Sequence, residues 1–279
     1  MGLRINQNIA AMNAYRNLNK TDISLGKSLE KLASGFRINR AADDAAGLSI
    51  SEGLRGQVNG FKMAMRNAQD GISLIQTAEG ALGEVTSLIQ RVRELTVQAA
   101  NSGANDQPAR DAIGQEVTQT LAEIDRIGSS TVYGSKTLLD TAQTFTFQIG
   151  YSGAASNQLG VAVSAMSSGA LGLTASVIVA AITGPTAATA LASIDAALAT
   201  ISSQRSSLGS FQNRLESTVN TLGVATENLA NAESRIRDTD MALEMVQFTR
   251  HQILTQAGTS MLAQANSSQQ SVLQLLQSQ

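Results

Sequence analysis

The 279-residue chain contains no cysteine, no tryptophan and a single histidine, and only 3% of its residues are aromatic. Without cysteine there is no disulfide, no thiol nucleophile and no thiolate metal ligand. One histidine excludes a metal site built from several histidines and leaves little for imidazole catalysis. The usual enzyme chemistries are poorly supplied, so we expect no enzymatic activity, no cofactor and no bound metal.

Charge is also scarce and unevenly distributed. Charged residues make up 15% of the chain, whereas soluble surfaces carry about 25–35%. Residues 1–40 hold seven Lys or Arg against two Asp or Glu, and residues 252–279 carry no charge. An uncharged tail of this length is expected to be covered by other protein. The net charge of −2 and the lack of aromatics interleaved with the basic residues argue against nucleic-acid binding.

Targeting and membrane signals are equally sparse. The N-terminus has no continuous apolar segment of the kind that a cleaved signal peptide needs. The longest apolar run, residues 177–182, is far too short to cross a bilayer. We therefore expect no membrane insertion.

Apolar residues recur at spacings of three and four in four segments, which predicts amphipathic helices within residues 1–36, 61–92, 109–127 and 191–229. The seam of the second segment runs through Phe61, Met65, Ala68, Ile72, Ile75, Leu82, Ile89 and Val92, and Glu79 and Thr86 interrupt it. Arg205, Gln212 and Thr226 are polar exceptions in the last segment.

Around Phe145–Ile149 and Leu159–Val163 apolar and polar residues alternate, which predicts a β-hairpin, whereas residues 169–185 give no clear assignment. The predicted fold is mainly α: an elongated antiparallel helical bundle or coiled coil, with a small β-hairpin region between its N- and C-terminal halves.

The short matches to catalytic motifs lack the spacing or the partner residues that catalysis requires. Residues 128–137 resemble a phosphate-binding loop, but the glycine spacing is wrong and a serine intervenes before the lysine, so they predict a plain connection. Two Ser-x-x-Lys matches, at Ser24 and Ser28, lack the accompanying motifs of penicillin-binding enzymes. The acidic pairs Asp43/Asp44 and Asp238/Asp240 have arginines close by, which favours ion pairs and helix capping over acid–base chemistry. His251 has no second ligand in view and is expected on a partly exposed helix.

Longer segments resemble a known family. Residues 34–52 (SGFRINRAADDAAGLSISE) and 228–245 (NLANAESRIRDTDMALEM) closely resemble the N- and C-terminal signatures of bacterial flagellins, as do MLAQAN at 261–266 and VLQLL at 272–276. The resemblance covers about 1–140 and 190–279. It implies a structural subunit that polymerises into the flagellar filament, is exported unfolded through the flagellar type III system, and is extracellular.

The resemblance also implies a layered organisation of the subunit. Residues 1–40 and 236–279 are expected to form the helices of the inner coiled-coil layer on assembly, and residues near 1–40 and 240–279 are expected to be disordered in the monomer. Residues 41–140 and 186–235 are expected to form the helices of a rod domain, and 141–185 a short variable excursion. The expected inner-layer packing residues are Ile5, Ile9, Met12, Leu25, Leu29, Leu32, Met245, Phe248, Met261, Leu262, Val272, Leu275 and Leu276.

The expected partners are other copies of the chain, a flagellin-specific export chaperone and the filament cap. Residues 90–98 (QRVRELTVQ) resemble the segment that, in many flagellins, is bound by the vertebrate Toll-like receptor for flagellin. By that resemblance Arg91 and Leu95 are candidate receptor contacts, and Glu116 is a third on the neighbouring helix. Two alternatives stay open at this point: a hook–filament junction protein, which shares flagellin-like ends, and a helical pore-forming protein.

Overall fold

A computed structural model describes residues 7–101, 105–183 and 187–277; within these ranges the side chains of residues 183, 269 and 271–277 are not described. This part of the chain forms six helices and two small antiparallel sheets, which confirms the mainly α prediction. The helices are α1 (Ile9–Ser34), α2 (Ala45–Ala100), α3 (Gln107–Ser130), α4 (Ala175–Thr183), α5 (Ala187–Arg237) and α6 (Met241–Gln277).

Both sheets lie between α3 and α4 in the chain. A two-residue hairpin pairs β1 (Val132–Tyr133) with β2 (Lys136–Thr137), and it occupies the segment expected to be a plain connection. The larger hairpin pairs β3 (Gln143–Gln148) with β4 (Gln158–Val163), as the alternating pattern predicted. Every second residue of β4 is buried, so one face of this hairpin packs on the core and the other faces solvent.

The described residues up to Gly56, together with those from Asn228 onward, form one compact unit, here called the terminal unit. Residues Gln57–Glu227 form a second, here called the central unit. The terminal unit contains α1, α6, the first residues of α2 and the last residues of α5; the central unit contains the remainder of α2 and α5 and all of α3, α4 and both hairpins.

The central unit holds the continuous hydrophobic core. Its seam on α2 is shifted from the predicted one: Ala78 and Val85 are fully buried at the positions next to Glu79 and Thr86. The predicted polar interruptions Glu79 and Thr86 therefore lie beside the seam, because Ala78 and Val85 occupy the core positions next to them. Glu79 pairs with Arg205 of α5, whose Nη2 is 3.4 Å from the Glu79 Oε1, so two of the predicted polar exceptions are partners of one another.

Helix α4 was not assigned from the sequence. It packs on α3, and the side chain of Val179 lies 3.2 Å from the position that a Cβ of Gly114 would occupy. The loop before α4 is fixed by Asp125 of α3, whose carboxylate accepts hydrogen bonds from the Ser168 backbone N–H (2.7 Å) and hydroxyl (2.8 Å). Glycine at position 114 thus permits a close approach that a larger side chain would obstruct.

Within the described ranges, we find no helix of the length and apolar character that crossing a bilayer requires.

Candidate assembly surface

Helices α1 and α6 pack against each other along the terminal unit. The Asn8 side-chain N–H donates to the Ala265 carbonyl (3.0 Å) near one end of the pair, and the Lys31 ammonium lies 3.9 Å from the Glu244 carboxylate near the other. Since residue numbers rise along α1 as they fall along α6, the pair is antiparallel. Seam residues recur at spacings of three and four on both helices, which is the geometry of a coiled coil.

The seam between α1 and α6 is only partly apolar. The partly or fully buried positions that repeat along α1 include Leu18, Leu25 and Leu32 but also polar or small residues. On α6 they are Glu244, Phe248, His251, Thr255, Gly258, Leu262 and Ala265. Leu18 fits against Gly258, because a Cβ at that glycine would lie 3.1 Å from the leucine Cδ1. Among the described residues of the terminal unit, Ile38 is the one fully buried large aliphatic side chain.

The other sides of α1 and α6 expose many large apolar side chains. Fourteen of the twenty exposed large hydrophobic residues in the described chain belong to the terminal unit, although it is the smaller of the two units. Twelve of these fourteen lie on the two helices, with exposures of 44–63%, and are called here the outer apolar set: Ile9, Met12, Tyr15, Ile23, Leu29, Met241, Leu243, Met245, Val246, Ile253, Leu254 and Met261. Contiguous apolar exposure on this scale marks an interaction surface.

Two shallow grooves run over these helices. One, of about 500 Å³, lies on α6 and is lined almost wholly by apolar atoms of Met245, Val246, Ile253 and their neighbours. The other, of about 400 Å³, lies on α1 between Met12 and Ile23 and includes the basic residues Arg16 and Lys20. The uncharged sequence after residue 251 continues along α6, so this part of the helix can be buried without desolvating a charge, although Arg250 lines the α6 groove itself.

The residues predicted to pack in the inner layer divide into two groups. Ile9, Met12, Leu29, Met245 and Met261 belong to the outer apolar set and are exposed. Leu25, Leu32, Phe248 and Leu262 are half-buried in the seam between α1 and α6. Ile5 lies outside the described residues, and the side chains of Val272, Leu275 and Leu276 are likewise not described, although their backbone belongs to α6.

Sequence reasoning missed seven members of the outer apolar set. These are Tyr15, Ile23, Met241, Leu243, Val246, Ile253 and Leu254. They do not follow the seam spacing, and helical periodicity by itself identifies only one buried face. The available signal was the excess of apolar residues over what a two-helix seam can cover.

The short linkers at the base of α1 and α6 clasp each other. Phe36 forms an antiparallel bridge with Asp238, the Arg37 N–H donates to the Arg237 carbonyl (2.6 Å), and the Thr239 N–H donates to the Gly35 carbonyl (3.0 Å). The Arg237 guanidinium lies 4.6 Å from the centre of the Phe36 ring. These contacts, here called the linker clasp, hold the C-terminal end of α1 against the N-terminal end of α6.

Arg237 also binds Glu52 of α2, with Nη1 2.7 Å from the carboxylate Oε1. Only 13% of the Arg237 side chain is exposed, so this guanidinium is held by a carboxylate and an aromatic face at once. Arg40 likewise pairs with a glutamate, Glu30, at 2.8 Å.

One aspartate of each acidic pair caps a helix. Asp44 accepts from the Gly47 N–H (2.9 Å) at the start of α2, and Asp240 accepts from the N–H groups of residues 242 (2.9 Å) and 243 (3.1 Å) at the start of α6. The prediction of helix capping is confirmed. The prediction of ion pairs was wrong: Arg40 and Arg237 pair with glutamates, and within the described chain these aspartates have no arginine partner.

Asp43 has a related role in the turn before α2. Its carboxylate accepts from the Arg40 N–H (3.0 Å) and the Asn39 N–H (3.3 Å). The hydrogen bond from Arg40 is the main cause that lowers the pKa of Asp43, and the bond from Asn39 and the lysines at 27 and 31 act in the same direction. Backbone donors stabilise the ionised form of the Asp43 carboxylate. This is the behaviour of a structural cap and gives no support to a role of Asp43 in acid–base catalysis.

The candidate receptor residues lie in the central unit. Arg91 of α2 and Glu116 of α3 form an ion pair, with 2.7 Å between Nη2 and Oε1, and the hydrogen bond to Glu116 raises the pKa of Arg91. Both side chains are about half exposed. Leu95 is 2% exposed and lies beneath this surface, in the core. The structure thus brings the two charged candidates together and buries the third.

No described group of residues forms a candidate metal site. His251 lies in the α1–α6 seam, where its Nδ1 is buried and has no hydrogen-bond partner among the described residues. Ser24 and Ser28 belong to α1, where the Ser24 hydroxyl donates to the Lys20 carbonyl (3.0 Å). The features of the terminal unit are those of a packing surface.

Comparison with known proteins gives a consistent result. The model of the bacterial flagellin N-terminal helical region matches residues 5–144, and that of the bacterial flagellin C-terminal helical region matches residues 191–276. The flagellin of Bacillus subtilis (strain 168) is 46% identical, over 98% of this chain and 100% of its own length. The flagellin of Halalkalibacterium halodurans (strain C-125) is 48% identical, over 98% and 99%.

A solved structure of a putative flagellar hook-associated protein from Vibrio parahaemolyticus superposes with a TM-score of 0.59. It covers 70% of this chain and all of its own, at 12% sequence identity. At that identity the likeness extends to the fold alone, whereas the two curated relatives match along nearly the whole sequence.

Proposed function

The chain belongs to the bacterial flagellin family and is a structural subunit of the flagellar filament, and we propose that its subunits join through the outer apolar set of α1 and α6. The observation that carries the proposal is the concentration of exposed apolar side chains on a unit with almost no buried core of its own. Burial of such surface is the main favourable term in protein association. Between neighbouring subunits, the apolar residues of α6 that follow position 251 would leave water along a stretch that carries no charge.

We also propose that α1 and α6 depend on assembly for their order. Their seam contains Thr21, Thr255, His251 and Gly258 at positions where a stable coiled coil carries large aliphatic residues. The central unit, by contrast, buries a continuous aliphatic seam on α2 and α5. The central unit is therefore expected to be folded in the free subunit, and the terminal helices to gain their stability from neighbouring subunits.

The same reasoning supports the layered organisation expected from the sequence. In this proposal residues 1–40 and 236–279 form the inner layer, 41–140 and 186–235 form the rod domain, and 141–185 form the short excursion. The subunit acts without enzymatic activity, reaches the cell exterior unfolded through the flagellar type III system, and meets an export chaperone and the filament cap on the way.

The test is polymerisation of purified subunits, followed by sedimentation and electron microscopy. Ile253→Glu places a charge on α6 at a site that is 61% exposed, and Val177→Glu places the same charge on α4 at a site that is 53% exposed. We expect the first variant to stay monomeric and the second to form filaments. Filaments formed by Ile253→Glu at the wild-type concentration would contradict the proposed surface.

A second role is favoured by the ion pair between Arg91 and Glu116. We propose that this exposed pair contacts the vertebrate Toll-like receptor for flagellin, with Leu95 supporting it from the core. Arg91→Ala should reduce the response of receptor-expressing reporter cells to monomer, while Arg126→Ala, which breaks an exposed pair with Glu123 on α3, should not. Equal responses to both variants would exclude the Arg91 contact.

A further inference from the structure

Methionine is concentrated on the outer sides of α1 and α6. The chain has eight methionines and no cysteine, so thioethers are its only sulfur groups. Among the described residues, five methionines are exposed by 47–63%, and four of these five belong to the outer apolar set: Met12, Met241, Met245 and Met261. They are called here the outer methionines. Met12 and Met245 each line one of the two surface grooves.

Their exposure makes these thioethers accessible to two-electron oxidants such as peroxides. A peroxide transfers one oxygen atom to the thioether sulfur, which is oxidised by two electrons to the sulfoxide, and the O–O bond breaks to leave water when the oxidant is hydrogen peroxide. The product carries a strongly polar oxygen in place of an apolar sulfur lone pair. In the free subunit that oxygen is hydrated, so oxidation changes the stability of the subunit little.

Assembly changes the outcome, because a sulfoxide oxygen buried among apolar neighbours loses its water and gains no donor. The surroundings of two of these residues offer few replacements: the α6 groove at Met245 is lined mostly by apolar atoms, although Thr249 and Arg250 also line it, and the sequence near Met261 carries no charged donor. Oxidation of the free subunit would therefore weaken packing most at Met245 and Met261, because the groove at Met12 includes Arg16 and Lys20, which can donate to a sulfoxide oxygen.

We propose that the outer methionines form an oxidation site that controls assembly: their sulfoxides keep the free subunit from polymerising, and burial in the filament protects them from oxidation. This inference rests on the proposed assembly role of the outer apolar set. It adds a chemical modification, its residues and the class of oxidant, and it makes reduction of the sulfoxides by methionine sulfoxide reductases a way to restore assembly.

The experiment treats wild-type monomer with hydrogen peroxide, identifies each oxidised methionine by peptide mass spectrometry, and then measures polymerisation. We expect oxidation at the outer methionines, at least a tenfold loss in the polymerisation rate, and recovery after treatment with both sulfoxide reductases. Met166, which is fully buried, should stay reduced. In preformed filaments the outer methionines should oxidise at least tenfold more slowly than in the monomer.

Two variants locate the effect. In the first, all four outer methionines are replaced by leucine, which keeps the apolar volume but cannot be oxidised; it should polymerise equally well before and after peroxide. In the second, Met63→Leu removes the one exposed methionine outside the terminal unit; it should lose polymerisation on oxidation as the wild type does.

Oxidised wild type that polymerises at the untreated rate would overturn the inference, as would a reductase treatment that removes the sulfoxides without restoring assembly. These two results do not depend on the behaviour of the leucine variant. Failure of the underlying assembly surface is recognised separately, since untreated Ile253→Glu would then form filaments.

Discussion

A matched pair of leucine truncations separates the two kinds of apolar burial in this subunit. Leu82 lies on α2 in the core of the central unit and is completely buried, whereas Leu254 lies on α6 and is 44% exposed. Both are replaced by alanine, so the same atoms are removed from a helix in each case. We expect Leu82→Ala to affect the stability of the subunit and Leu254→Ala to affect its assembly.

The expected magnitudes differ in the free subunit. Truncating a fully buried leucine removes its transfer free energy and leaves a cavity, which lowers the free energy of unfolding by about 2–5 kcal/mol. At Leu254 part of the side chain is already in water and the neighbours can relax. The free energy of unfolding should therefore change by less than about 0.5 kcal/mol, as at other exposed sites.

Assembly reverses the order. Complete burial of a leucine side chain contributes about 1.5–3 kcal/mol, so burying the exposed 44% of Leu254 contributes about 1 kcal/mol. Since about 1.4 kcal/mol corresponds to a tenfold change in an equilibrium constant, Leu254→Ala should raise the critical concentration for polymerisation about fivefold.

Two measurements check the pair. Urea unfolding of the monomer reports the free energy of unfolding, and sedimentation over a range of subunit concentrations reports the critical concentration. An unchanged critical concentration for Leu254→Ala would show that its exposed surface is not buried in the filament. A loss of unfolding free energy at Leu254 as large as that at Leu82 would show that α6 is instead part of a core within the free subunit.

Three further predictions concern the terminal unit. Gly47→Ala should lower the melting temperature, because the added Cβ would lie 2.8 Å from the Ile38 Cδ1 and would also press on the Asp44 cap. The expected loss of unfolding free energy is about 1–3 kcal/mol. The control Gly53→Ala lies on the same helix with nothing within 4 Å of its Cβ, so it should stabilise α2 by about 0.5–1 kcal/mol in the same thermal melts. Arg237→Ala removes the ion pair with Glu52 and the stack on Phe36, and should speed hydrogen exchange at the Arg37 and Thr239 amides of the linker clasp. The control Arg55→Ala removes an exposed 3.5 Å ion pair with the same glutamate and should leave both exchange rates nearly unchanged. Carboxyl NMR should show that the pKa of Asp43 lies below the ordinary aspartate value of 3.8. Because the folded-state pKa is the lower one, the Asp43 cap stabilises the turn fully above the unfolded-state pKa, and this stabilisation is lost as the pH falls through the folded-state pKa. A titration midpoint at or above 3.8 would contradict the assigned hydrogen bonds.

Helix and hairpin positions could be predicted from the sequence because each depends on a local repeat. Spacings of three and four located α1, α2, α3 and α5, and alternation over Phe145–Ile149 and Leu159–Val163 located β3 and β4. Helix α4 could not be assigned because its small residues fit several conformations. The exact seam on α2 was missed for a related reason: Ala78 is as fully buried as Leu82, yet a search for large apolar residues passes over alanine.

The assembly surface was harder to predict because periodicity identifies one apolar face of a helix and this unit has more than one. Leu25 and Phe248 were predicted beside Met12 and Met261 as one set. The structure separates the seam, which the chain covers itself, from the outer apolar set, which it does not. Only the arrangement of α6 against α1 decides between them, and that arrangement depends on residues more than 200 positions apart in the sequence.

The polar seam and the apolar exterior of the terminal helices are consistent consequences of one requirement. A subunit that has to remain soluble until it reaches its place of assembly cannot carry a surface that is both rigid and apolar, because such a surface associates wherever two copies meet. A seam weakened by Thr21, His251 and Gly258 leaves the pair of helices marginally stable alone, so the outer apolar set is presented in a fixed geometry only when neighbours supply the missing burial. The absence of charge after residue 251 completes this arrangement, since no ion has to be desolvated when that part of α6 is enclosed. Replacing the polar seam residues Thr21 and His251 by leucine should therefore produce a more stable helix pair that aggregates without a filament seed.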